Sequence, residues 1–135
     1  MLIAMTIALV AFALVSLDLR AYWSARQHAQ DVADSAAAAG AGETREILSA
    51  GRLRVAIDEP LAAAAGQTAF AAADGPARQM LLDSQSCAGA ASVCDLGWTV
   101  DVTQEFESLT LRMFGGGTFS ASATATAVPV PVRTD

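Results

Sequence analysis

Residues 1–17 read MLIAMTIALVAFALVSL, an apolar run without a charge. As a helix rising ~1.5 Å per residue it reaches about 25 Å, close to a bilayer core of roughly 30 Å. The run predicts a transmembrane anchor. Tyr22 and Trp23 follow where aromatic rings favour the membrane–water interface, and Arg20 where a guanidinium can snorkel. A cleaved secretory signal and a buried core helix are the rival readings. The first lacks a charged leading region and a cleavage pattern before Arg26.

Beyond the anchor the period becomes helical. At 100° per residue, Tyr22, Ala25, Ala29, Ala33, Ala36 and Gly40 share one stripe, and Ser24, Gln27, Asp31, Asp34 and Ser35 lie opposite. The pattern predicts an amphipathic extension over 18–42, ended by the glycines Gly40 and Gly42. Its apolar side chains are nearly all small, so each buries little area but allows a second backbone close approach. Such a stripe is expected to dock on something bulky or to pack beside copies of itself.

The remaining 43–135 reads as a body. ETREILSAGRLRVAI suggests a short helix to Ser49, a turn at Gly51 and a short strand in RLRVAI. Asp58-Glu59-Pro60 has the form of a helix start, and LAAAAGQTAFAAA carries that helix to about Ala73, before Asp74-Gly75-Pro76 breaks it. After a brief ARQMLLD the pattern alternates with period two. Trp98, Val100 and Val102 share a face; so do Leu109, Leu111 and Met113; so do Phe119, Ala121, Ala123, Ala125 and Ala127. These predict half-buried antiparallel strands within about 97–130, with a glycine hairpin at Gly115–Gly117 and an end or edge at Pro129 and Pro131. The fold class expected is α+β: a long N-terminal helix, short helices, then a small antiparallel sheet.

Composition narrows the function. The 8 basic residues are all Arg against 14 acidic ones, for a net charge of −6. That is the wrong balance for a nucleic-acid binder, which needs a basic stripe. Cys87 and Cys94, close in sequence, are expected to form a disulfide on the oxidising side of a membrane; free thiols in a reducing compartment are the alternative. The pair is not spaced as a redox motif, and with one histidine it makes a poor metal site. His28 reads as a solvated surface histidine rather than a proton relay, and Asp31 with Asp34 as a solvated face rather than an acid pair. The triple glycine lacks the Lys-Ser of a phosphate loop, and no nucleophile motif frames a serine. No catalytic residue, cofactor, metal or small-molecule substrate is expected, so the chain reads as a non-enzyme.

The N-terminal stretch resembles the TadE/TadG-like proteins, pilin-like components of tight-adherence (Flp) pilus systems. The likeness rests on the apolar helix, Asp18, Arg20, Tyr22, Arg26 and Gln27, then DVADSAAAAGAG. Ala33, Asp34 and Ala36 to Ala39 match the family's alanine–aspartate box, with Ser35 replacing an alanine. MFGGGTFSASATATAV is similar to the family's closing strand. His28 stands where an aliphatic residue is common, and the box lacks its usual leucine. Basic residues and a processing site usually precede the apolar run; none stands before Met1, which predicts either a processed chain or a start further upstream. The resemblance implies a pilin-like bacterial subunit, single-pass in the cytoplasmic membrane with its body outside. It would act in pilus assembly, initiation or adhesion, with other pilin-like subunits, the assembly machinery and the lipid bilayer as partners. The family's principal pilins are much shorter, so a minor pilin is implied. A membrane-tethered extracytoplasmic binding module unrelated to pili is the alternative.

Overall fold

The computed structural model describes residues 2–49, 51–75, 79–88, 94 and 96–129. Anchor and extension form one continuous helix, α1 (Leu2–Gly42, 41 residues). It ends at the expected glycines, where Glu43 N–H donates to the Gly40 carbonyl at 3.1 Å.

A hairpin follows, β1 (Thr44–Ser49) and β2 (Arg52–Ile57), paired antiparallel from Thr44↔Ile57 to Ser49↔Arg52. The short helix expected to Ser49 is therefore corrected to a strand. Gly51 at φ 75° lets the chain fold back, and the ladder with RLRVAI then pairs all six residues of TREILS. The expected helix is α2 (Glu59–Asp74), with Pro60 in its first turn. Asp58 stands at the cap, but its side chain makes no capping bond and lies instead 3.9 Å from Arg45.

The second sheet has the order β3-β4-β5, all antiparallel: β3 (Met80–Cys87), β4 (Trp98–Glu107) and β5 (Thr118–Ala127). ARQMLLD thus leads into an edge strand, with a register shift between Leu82 and Ser84. Between β4 and β5 lies α3 (Leu109–Met113), where the alternation predicted a strand. Five residues cannot separate the two periods. Ser108 decides in favour of helix by accepting the Leu111 N–H on its side chain at 3.1 Å. The glycines consequently join a helix to a strand rather than closing a hairpin. Pro129 lies just past β5, and Pro131 is outside the described residues.

The core is a two-layer sandwich of helix on sheet. Trp98, Val100, Val102, Ala121, Ala123 and Ala125 are buried on the inner face as their alternation predicted. Register pairs large with small across β4 and β5, Val100↔Ala125 and Val102↔Ala123, leaving a shallow trough. The alanine side of α1 lies along that trough. The outer face is a polar ladder. Asp101 accepts from the hydroxyls of Ser84 and Thr124, each at 2.5 Å, and Thr99 bonds Thr126 at 2.8 Å. Those two hydroxyls, Ser84 first, lower the Asp101 pKa.

Candidate functional site

The candidate site is α1 itself, which passes between two environments. Its first half is bare: Leu2, Ile3, Met5, Ile7, Leu9, Val10, Phe12, Val15 and Leu17 are all exposed. By length and composition it is long and apolar enough to span a membrane.

Asp18 marks the change. Its carboxylate accepts the Ser108 hydroxyl at 2.7 Å and the backbone N–H groups of Leu109 at 2.8 Å and Thr110 at 3.1 Å. It thereby holds the first turn of α3. The hydroxyls of Thr110 and Ser108, with those two amides, lower its pKa from 3.8 to about 2 against the opposing effect of desolvation. The Thr110 hydroxyl is buried and completes no hydrogen bond of good geometry. The bonds drawn by Ser108 and the two amides therefore carry the structural argument. One turn further on, half-buried Tyr22 meets Phe106, ring centroids 6.2 Å apart, and Phe106 meets Phe119 at 6.0 Å. Arg26 reaches back over Trp23 at 5.9 Å.

The stripe expected to dock on something bulky or to pack beside copies of itself lies inside the chain. Ala29, Ala33 and Ala36 are fully buried, Ala25 is 5% exposed, and Gly40 is buried with them; Val32, Ala37 and Ala41 widen the contact. The bulky object on which the stripe docks is the protein's own sheet, with α2 alongside. In the folded subunit these residues are not a free assembly surface. Asp34 is exposed and held by Gln30, which donates to it at 3.0 Å and to the Thr124 carbonyl at 3.3 Å. His28 and Asp31 are exposed on the outward side.

Sequence reasoning missed a buried junction at the far end of the helix. A Cβ on Gly40 would stand 2.3 Å from Trp98 Cδ1, so the glycine is what admits the indole. Trp98 Nε1 donates to Gln85 Oε1 at 3.4 Å, and Gln85 Nε2 donates to the Ala63 carbonyl at 3.3 Å. Gly66 on α2 leaves room for the same glutamine, since a Cβ there would stand 2.1 Å from Gln85 Oε1 and 3.3 Å from the Ala36 carbonyl. α1, α2, β3 and β4 thus lock through two glycines, an indole and an amide. The sequence signal was a lone tryptophan at the start of an alternating strand whose partners are alanines.

Cys87 and Cys94 are disulfide-bonded, Cα–Cα 5.4 Å. The Cys94 carbonyl accepts the Ile57 N–H at 2.7 Å, so the bridge also ties the β1–β2 hairpin to the larger sheet.

A family model, described as Flp pilus-assembly TadE/G-like, matches residues 1–43. The match ends within a residue of the end of α1, so the Tad-like portion is the helix that is bare and apolar at its start and braces the body at its end. No curated protein and no solved structure matches the chain.

Proposed function

We propose that this chain is a membrane-anchored minor pilin-like subunit of a bacterial tight-adherence pilus, acting in assembly or initiation rather than as an enzyme. The reading is supported above all by one observation. The Tad-family match coincides with a helix that is bare and apolar at its start and buried against a sheet at its end. A bare apolar helix can be stored in a bilayer and can later be packed among other apolar helices. A body fixed rigidly to that helix is carried with it to the surface, on the extracytoplasmic side where its disulfide is stable. Pilin-like subunits and the assembly machinery are the partners of this reading.

The experiment is deletion of the gene, with complementation by wild type, scored by pilus count, surface adherence and immunogold labelling of sheared filaments. Loss of pili or adherence, restored by complementation, is expected. Normal pili and normal adherence in the deletion strain would overturn the reading. Substituting Ala29, Ala33 and Ala36 by Leu is a test of folding, because these side chains fill the subunit's own core.

A further inference from the structure

We infer that α3 and the glycine loop after it form a second membrane contact, a foot that rests in the headgroup layer of the bilayer crossed by α1. The inference deepens the anchored reading above and rests on it.

Topology puts the foot at the membrane end of the body. β4 descends along α1, with Trp98 beside Gly40, Phe106 beside Tyr22 and Ser108 on Asp18. β5 climbs back from Thr118, its Phe119 paired with Phe106. Residues 108–117 therefore form the lowest turn of the body, fastened by Asp18 to the first position beyond the apolar run. Leu14, one turn below Asp18 on the same face, is half-buried, while the other described residues of 2–17 are exposed.

At that level the foot shows water the wrong side chains. Leu109 is 47% exposed, Met113 68% and Phe114 85%. The loop that presents Phe114 turns through Gly115 and Gly116, both at positive φ, and Gly116 N–H returns to the Leu111 carbonyl at 2.9 Å. The apolar tip is thus a built turn. On α1 the same level carries exposed Leu19 and Trp23 with Arg20. Arg112 on the foot is exposed, 3.8 Å from Glu107. Apolar and aromatic side chains interleaved with arginine suit the boundary between acyl chains and phosphates. The occupant is therefore a phospholipid bilayer surface, continuous with the lipid around α1.

The test places a benzophenone amino acid at Phe114, whose exposure lets the fold tolerate it, and at Leu48 on the distal hairpin as control. The full chain is reconstituted into phosphatidylcholine–phosphatidylglycerol vesicles, floated on a gradient, irradiated and analysed by mass spectrometry. Flotation with lipid adducts at 114 at least about tenfold above those at 48 is the expected result. Flotation with no excess at 114, or adducts there to a second protein chain, overturns the foot and leaves the anchor standing. Failure to float overturns the anchored reading and the foot with it.

Discussion

Gly40→Ala should destabilise this protein, although alanine is the better helix former. The residue lies two positions from the end of α1, where replacing glycine is worth up to about 1 kcal/mol of helix propensity. Against that, the added methyl would stand 2.3 Å from Trp98 Cδ1 and 2.5 Å from Nε1. Ordinary carbon contacts begin near 3.5 Å, so the ring must retreat by about 1 Å. Trp98 is 1% exposed and its Nε1 is engaged with Gln85, so the retreat disturbs β3 and α2 as well. Overpacking of this kind costs typically 1–3 kcal/mol, and the rigidity of the indole places this case near the upper figure. A net loss of about 2 kcal/mol is expected. Gly42→Ala is the internal control, because nothing lies within 4 Å of its missing Cβ. It should be neutral or stabilising by a few tenths of a kcal/mol. The assay is urea unfolding of the full chain in detergent, disulfide intact, followed by tryptophan fluorescence. If Gly40→Ala unfolds at the wild-type midpoint or above it, the indole does not occupy the space beside the glycine and the junction is wrongly drawn.

Three other outcomes follow from the structure. Asp18 has a lowered pKa in the fold, so its support of α3 is complete above about pH 4 and lost as the pH falls through about 2; amide exchange at Leu109 and Thr110 should accelerate over that window, and no such step in the wild type would sink the account. Gln104 is buried opposite Ala121 with its Oε1 unpartnered among the described residues, so Gln104→Leu should raise stability by about 1 kcal/mol in the same urea assay, and a loss would mean that the amide is satisfied. Replacing Cys87 and Cys94 together by Ser should cost about 2–3 kcal/mol by freeing a short loop in the unfolded chain, while alkylation of native material without reductant should label neither thiol.

Why some elements were legible and others not comes down to where the deciding contact lies. WTVDVT and ASATATA declared themselves because their sheet has one polar face, which forces alternation on both strands. α2 declared itself through Pro60 and a long alanine run. LTLRM did not, because its helical state depends on Ser108 and on Asp18, 90 residues earlier in the chain. TREILS did not, because a strand of mixed polarity is specified by its partner RLRVAI. The stripe on α1 was visible from Ala25 to Gly40, but its occupant was not. Small side chains advertise close approach without naming what approaches. The identity came from register, which sets Trp98 against Gly40 and Val100 against Ala125.

On the proposed pilin-like reading, that register bears on how the chain would assemble. The core draws mainly on the inner side of α1 from Ala25 to Ala41, so the body cannot detach from the helix without exposing Trp98, Val100 and Val102. The second half of α1 is therefore part of the body's core. Contacts between neighbouring subunits must then use what the fold leaves open. Those surfaces include the exposed side of the segment from Leu2 to Leu17, the outward positions Gln27, His28, Asp31 and Asp34, and the polar outer face of the sheet. The first carries no charge, its Thr6 and Ser16 hydroxyls bond back to the helix's own carbonyls, and it suits lipid and helix neighbours alike; the other two are polar and suit water or a wet interface. A helix with these two characters can exchange lipid for protein along its first half while its second half stays committed to the sheet. The small-residue stripe is what commits that second half, since each alanine on it is spent on the sheet or on α2.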